Sequence, residues 1–358
     1  MLNAVQLPKN LQSLPPKAAR FCLGMERFLL HELWPCMENG TEDGGDKLHS
    51  LEGTHFCVAL SGGADSISVF LALYYLQTRL GIELSAVHIH HGLRSEADDE
   101  AMTVMRFCAQ LGVQCSIHHV NVCADAESKG IGIEEAGRVA RYAHFANLVE
   151  QIPETWIALG HHADDLCEDV LMRLIRGAGW PALGGMVGLD STRKIIRPLL
   201  GTSRADIEKF LNLLGLTWIE DASNASMEYK RNRIRHNIMP HLLAENPALH
   251  ETILSLWKLA RIDADFWQKR LHATLEENPS SQVLDRRILQ SLTQAERLRL
   301  YKMKLDKLGT GQASVITLLA LDTAWQQQRG GVSFQFSGHK IASISRGSIT
   351  FTRLLTME

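Results

Sequence analysis

The sequence predicts an α/β fold: a parallel, doubly wound sheet, followed by a helical middle region and a small α+β C-terminal domain. Two observations carry this. From residue 56 to about 178, short apolar runs alternate with segments of helical periodicity, which is the pattern of βαβ units. Beyond about 180 the alternation stops, and glycine-rich, basic and then hairpin-like stretches follow.

The elements follow in order. Residues 17–34 place Phe21, Met25, Phe28, Leu29 and Leu33 on one helical face, and Pro35 ends it. Glu38 to Lys47, rich in glycine and acidic residues, reads as an exposed linker. Phe56–Leu60 is a short buried strand, and Asp65–Leu80 a helix with Ile67, Leu71, Tyr74 and Tyr75 at helical spacing. A second strand, "ELSAVHIHH", precedes a helix over 96–111; a third, "QCSIHHVNV", precedes one over 134–151; a fourth, "TWIALGHH", precedes one reaching Arg176. All four strands end in polar loops, "SGGADS", "HHGLRSE", "NVCADAESKG" and "GHHADD". In such folds ligands bind at the carboxyl ends of the strands, so these loops are expected at one site. Later come a short helix from Ser203 to 215, a long helix over 248–272, and, from about 285, two helices before "VSFQFSG". A β-hairpin then turns at Arg346-Gly347. The expected division is 1–220, 221–280 and 281–358, consistent with two or three domains at about 150 residues each.

Composition excludes several classes. The 358 residues are 45% hydrophobic and 22% charged, as in an ordinary globular protein, and the net charge is −3. Any nucleic-acid contact must therefore come from a local basic patch. Seven cysteines without a C-x-x-C pair suggest reduced thiols in the cytoplasm. No apolar run is long enough for a membrane span, and no signal peptide is legible.

Ser61-Gly62-Gly63-Ala64-Asp65-Ser66 lies between strand and helix, where free backbone N–H groups and the helix dipole favour an anion. It lacks the lysine of a Walker A loop, the three spaced glycines of a dinucleotide fingerprint and the glycine of a nucleophile elbow, which Ala59 replaces. An aspartate in a phosphate loop makes sense when a cation bridges it to the phosphates. The plainer reading is a helix cap made by Ser61 or Asp65.

Four further stretches carry chemistry. Asp165, Glu168 and Asp169 share one helix face, either as an acidic pocket at the sheet's open end or as a negative first turn. Arg94 follows the second strand, where a guanidinium can meet phosphate oxygens; a salt bridge with Glu96 is its bland counterpart. The histidines before it follow no structural zinc spacing. Arg138 and Arg141 lie one turn apart beside Tyr142. Lys230, Arg231, Arg233 and Arg235 suit phosphate contacts along an RNA, or simply a soluble helix face.

Together these residues carry a resemblance. "SGGADS" looks like the pyrophosphatase loop of enzymes that adenylate a substrate and release pyrophosphate, on an adenine nucleotide alpha hydrolase-like fold. With "HHGLR", "GHHADD..E", "IRPLL", "EDASN" and "RNRIRHNIMP" in that order, residues 58–240 resemble the tRNA(Ile)-lysidine synthetase family. The resemblance implies that ATP adenylates C2 of the wobble cytidine in a tRNA(Ile) with a CAU anticodon. The ε-amine of free lysine then displaces AMP. It further implies that Ser61 to Ser66, with Arg94, bind ATP and that Asp65 holds Mg2+. Asp65, Arg141, Asp165 and Glu168 would serve the reaction, and Lys230, Arg231, Arg233 and Arg235 would bind tRNA. A homodimer is left open. The family's acidic motif usually continues Gln-x-Glu-Thr, where this chain has Leu166-Cys167-Glu168-Asp169. Three competitors remain: a tRNA thiolation enzyme of the same superfamily, an ATP-dependent amidotransferase subunit, against which stands the lack of a glutaminase nucleophile at the N-terminus, and a catalytically dead RNA-binding module. The absence of C-x-x-C argues against the first, and intact Asp65, Asp165 and Glu168 against the last.

Overall fold

A computed structural model describes residues 7–34, 50–92, 97–220, 226–275 and 282–354. The acidic linker, Arg94 and most of "EDASN" lie outside the described residues. The chain divides into two compact units, one of Met1–Glu168 with Met186–Glu251, the other of Asp169–Gly185 with Thr252–Glu358.

The first unit opens with α1 (Pro16–Phe28), extended by a wide turn over Leu29–Leu33 that buries Leu29 and Leu33. Then come β1 (His55–Ala59), α2 (Ala64–Leu80), β2 (Glu83–His90), α3 (Ala97–Gln110) and β3 (Gln114–His119). Next are α4 (Val122–Lys129), α5 (Ile133–Gln151), β4 (Thr155–Ala158) and the first part of α6 (Ala163–Ile175), whose residues from Asp169 on belong to the second unit. After them stand β5 (Leu189–Asp190), β6 (Ile195–Ile196), α7 (Arg204–Leu213), α8 (Lys230–Arg233) and α9 (Met239–Glu245). The sheet order is β3-β2-β1-β4-β6-β5, parallel throughout except for β5, which runs antiparallel to β6. β1 is apolar from Phe56 to Ala59, as suits a strand covered on both faces. Cys57 packs with Val87, Phe145 of α5, Ile157 and Ile195. Phe56 meets Trp34 at 6.4 Å, and Trp34 meets Trp156 at 5.5 Å. Phe21 of α1 stacks on Phe210 of α7 at 4.2 Å.

Two expectations are corrected here. The third strand stops at His119, and "NVCADAESKG", read as a polar loop, folds as α4. The side chain of Asn121 caps it by accepting from the N–H of Ala124, and Gly130 ends it with φ 61°. The second correction lies in the C-terminal segment. After α10 (Leu249–Leu275) and β7 (Val283–Leu284) it has three helices rather than two: α11 (Arg286–Ser291), α12 (Gln294–Lys307) and α13 (Val315–Gln326). The break between α11 and α12 is a capping box, with Thr293 and Glu296 serving each other's backbone N–H groups. β8 (Val332–Phe336), β9 (Lys340–Ser345) and β10 (Ser348–Arg353) complete an antiparallel sheet of order β7-β10-β9-β8. The hairpin turns at Arg346 and Gly347, both at positive φ, as the sequence predicts. Leu289, Leu300, Leu321, Ile344, Ile349 and Phe351 lie in this unit's core. No helix among the described residues is long and apolar enough to cross a membrane.

Candidate active site

The strand order reverses between β1 and β4: β2 and β3 extend the sheet on one side of β1, and β4 and β6 on the other. That point is where open parallel sheets bind ligands. Two loops leave it side by side, Leu60–Gly63 from β1 and Leu159–His162 from β4. They approach so closely that a Cβ on Gly160 would lie 2.8 Å from the carbonyl carbon of Asp65 and 2.9 Å from the nitrogen of Ser66. Only glycine fits there. Gly62 is likewise constrained, with φ +88° and Ile219 against it.

The helix-cap reading of the first loop is set aside by its geometry. The residue preceding α2 is Gly63, and no side chain caps the helix. Ser66 Oγ instead donates to the Gly63 carbonyl at 2.9 Å and accepts from the Ser61 N–H at 3.2 Å, while Ser61 and Ser66 hydroxyls meet at 3.1 Å. These bonds brace the loop around a 17-residue helix whose positive end opens at the switch point. The histidines of β2 serve this scaffold. His88 Nδ1 donates to the Leu60 carbonyl at 2.8 Å, and His90 lies 3.1 Å from Asp98.

Asp65, one-third exposed at this mouth, accepts from Arg204 Nη1 at 2.7 Å, and His162 Nε2 stands 3.7 Å away. Burial raises its pKa, opposed by the charges of His162 and Arg204. His162 is buried and stands among three carboxylates: Asp65, Asp164 at 3.3 Å and Asp165 at 3.4 Å. Burial would lower its pKa, but the three carboxylates outweigh that and raise it. Asp164 also accepts from the Arg204 N–H at 2.8 Å and pairs with His250 at 3.1 Å. Those bonds overcome burial and hold it well below the carboxylate range. His161 behaves oppositely: burial, with the charges of Arg197, Arg231 and Arg141, pushes it down to about 3. It is therefore neutral and accepts at Nδ1 from Arg197 Nε, 3.2 Å away. The charge of Arg141 on α5 thus reaches the site.

Asp165 and Glu168 are one turn apart on α6, as the sequence spacing requires, and their basic partners come from outside that helix. Arg231 donates to Asp165 Oδ1 and Glu168 Oε2, each at 2.7 Å. Arg235 donates to Glu168 at 2.6 and 3.0 Å and to Asp165 at 3.1 Å. The physical reason is the helical phase of α8 and the π turn Ile234–Ile238 after it, which puts Arg231 and Arg235 on one side. Arg233 points elsewhere and donates to the carbonyls of Met227 and Glu228; Lys230 is exposed. Glu168 is 1% exposed and Asp165 11%, while Arg231 and Arg235 are 37% and 32% exposed, so two buried carboxylates face two guanidiniums that keep one side toward solvent. Against burial, the charges of His162 and Arg231 hold Asp165 down at about 2.

A pH prediction follows. A depressed carboxyl contributes stability above its unfolded pKa and loses it as pH falls through the folded one. Asp165 should contribute roughly 2 kcal/mol that disappears between about pH 4 and pH 2. His162 has the opposite sign. Its contribution is complete below the free-histidine value and fades as pH rises through its elevated pKa. Thermal midpoints measured across acid pH should fall less steeply for Asp165→Asn than for the natural chain.

A PP-loop domain family matches residues 41–242. A tRNA(Ile)-lysidine synthase of Nitratidesulfovibrio vulgaris is 47% identical over 328 residues, which is 86% of this chain and 94% of that protein. This chain belongs to the tRNA(Ile)-lysidine synthase family. Longer relatives match in part: the tRNA(Ile)-lysidine synthase of Azoarcus sp. is 38% identical over 72% of this chain and 56% of its own length. That of Geobacillus kaustophilus is 36% identical over 61% and 48%. Among solved structures, the U34-tRNA thiolase NcsA of Methanococcus maripaludis aligns with 18% identity and a TM-score of 0.49. The alignment covers 67% of this chain and 78% of that one, and at that distance it says nothing of activity.

Within this lysidine synthase family chain, Leu166 is 1% exposed and serves as a core residue, while Asp169 pairs with Arg173 at 2.8 Å. Sequence reading missed Arg204, His162 and His250. The doubled histidine beside "ADD" was a usable signal for His162. Mg2+ is usually held by one or two carboxylates together with substrate phosphates, and a hard oxygen donor at the loop mouth, Asp65, fits that demand.

Proposed function

We propose that this chain uses ATP to activate the wobble cytidine of a tRNA(Ile) with a CAU anticodon and joins free lysine to it, giving lysidine, AMP and pyrophosphate. The observation that carries this reading is the anion cradle at the topological switch point: an uncapped 17-residue helix with an aspartate in its first turn. In the first step the C2 oxygen attacks the α-phosphorus and the α–β bond breaks, expelling pyrophosphate. In the second, the ε-amine attacks C2, the C2–O bond to AMP breaks, and the amine gives up its proton.

Ser61 to Ser66 supply backbone donors where pyrophosphate charge develops, the kind of preorganised stabilisation that dominates such steps. Mg2+, when bound, neutralises that charge, and Asp65 is the carboxylate placed to hold it. Arg141 adds positive charge felt at His161. Asp165 and Glu168 already carry guanidinium partners. Their role is therefore to fix Arg231 and Arg235 at the site rather than to form an open ammonium pocket. Contacts to tRNA phosphate from this segment then fall chiefly to exposed Lys230 and Arg233. ATP, tRNA and lysine meet in the cytoplasm, where we place the enzyme.

The direct test of the first step is pyrophosphate release from ATP in the presence of tRNA and absence of lysine. Release that depends on tRNA supports the reading; none at saturating ATP and tRNA removes it. For the basic segment, Lys230→Ala should weaken tRNA binding evenly and reduce the slope of log affinity against log salt by about 1, with an unchanged melting temperature. A salt slope equal to that of the natural chain would mean that Lys230 touches no phosphate.

A further inference from the structure

We infer that Arg204 is a pyrophosphate-binding residue that rests on Asp65 and exchanges that carboxylate for phosphate oxygens when ATP and its metal bind. The inference rests on the proposed reading of Ser61 to Ser66 as the pyrophosphate cradle. It starts from how Arg204 is held. Ser203 caps α7 by accepting from the Asp206 N–H, and this fixes Arg204 as the first residue of the helix. Its backbone N–H donates to Asp164 at 2.8 Å, which ties α7 to the start of α6. Its guanidinium spans two carboxylates, Nε on Glu208 at 2.8 Å and Nη1 on Asp65 at 2.7 Å. The backbone is therefore pinned while the fork reaches across to the phosphate loop.

The placement of the fork is the second consideration. Arg204 and Asp65 side chains are 34% and 32% exposed, so the pair sits at the open mouth, not in the core. A pair this exposed adds little to stability, which leaves its position at the loop without a structural reason. Asp65 is also the carboxylate that would hold a divalent cation, and its Oδ1 is the oxygen that Arg204 occupies. A guanidinium at 2.7 Å supplies positive charge to that oxygen, and a cation bound there would repel it. Released from Asp65, the fork keeps Glu208 as an anchor, and its remaining N–H groups suit the paired oxygens of a phosphate. A guanidinium is always charged, so the exchange needs no proton transfer. Arg204 thereby offsets Asp65 before nucleotide arrives and offsets pyrophosphate charge afterwards.

Two titrations of the full chain test this: inorganic pyrophosphate in excess Mg2+, and Mn2+ alone. Arg204→Met keeps the apolar stem and removes the fork. It should bind pyrophosphate at least tenfold more weakly, yet bind Mn2+ alone at least as tightly as the natural chain, because the competing cation is gone. Arg204→Lys should recover part of the pyrophosphate affinity. Arg204→Met with pyrophosphate affinity within twofold of the natural chain overturns the inference, as does a loss of Mn2+ affinity. If Arg204→Met melts well below the natural chain, Arg204→Lys decides: weakened pyrophosphate binding at an unchanged melting temperature supports the exchange, and unchanged binding overturns it. A natural chain that itself fails to bind pyrophosphate with Mg2+ would instead sink the cradle reading.

Discussion

Asp65→Asn is expected to lower tRNA-dependent pyrophosphate release by at least about a hundredfold, the usual scale for losing one preorganised group at developing charge. The substitution is nearly isosteric and removes only the charge. The lost partner, Arg204, keeps Glu208 at 2.8 Å, and the pair it breaks is one-third exposed on each side. Such a pair is worth ~1 kcal/mol or less, so the melting temperature should scarcely move. Activity lost without stability is the signature of a group that acts on the nucleotide. Near-normal release at saturating Mg2+ would remove Asp65 from the chemistry.

The second large effect is at Glu168. Its carboxylate is 1% exposed and takes three N–H donors from Arg231 and Arg235. Truncation to alanine leaves two guanidiniums facing a single carboxylate, Asp165. The guanidiniums left behind are about a third exposed, so the cost should fall below the roughly 3–5 kcal/mol of breaking a fully buried pair, but Glu168→Ala should still melt a few degrees lower. Glu168→Gln keeps the shape and one acceptor but removes the charge, and should show a smaller drop. In both, pyrophosphate release and lysine incorporation should fall together, because Arg231 and Arg235 lose their seat. In an acidic pocket without guanidinium partners, these substitutions would instead impair lysine use more than ATP use. A rise in the lysine requirement alone, with natural melting behaviour and natural pyrophosphate release, would restore the open ammonium pocket.

The difference between those two expectations shows what a sequence carries and what it does not. The phosphate loop was legible because its chemistry is local: strand, two glycines, aspartate and helix follow one another within a dozen residues. The acidic face of α6 was legible for the same reason, since i, i+3 spacing fixes a face. The arginine pair was legible as a pair, but its partners were not. Arg231 is 63 residues from Glu168, and no periodicity reports a contact at that distance. Arg204 was missed for a different reason. It reaches the site because β6 runs parallel to β4 and delivers α7 to the same edge, and β6 is only two residues long. A strand that short has no pattern to read. α4 escaped because the ten residues from Asn121 to Gly130 are polar enough to pass for loop, with only the Asn121 cap and the Gly130 stop to mark it. The C-terminal hairpin, with its alternation and Arg-Gly turn, was read correctly because both signals are local.

The measurement that bears most directly on the account is incorporation of labelled lysine into a tRNA(Ile) transcript with a CAU anticodon, in the presence of ATP and Mg2+. The account predicts one lysine per tRNA, attached at the wobble cytidine, with AMP and pyrophosphate released in equal amounts and no incorporation by Asp65→Asn. Label entering a transcript whose wobble cytidine is replaced, ADP in place of AMP, or no label under conditions where the tRNA binds, would contradict it.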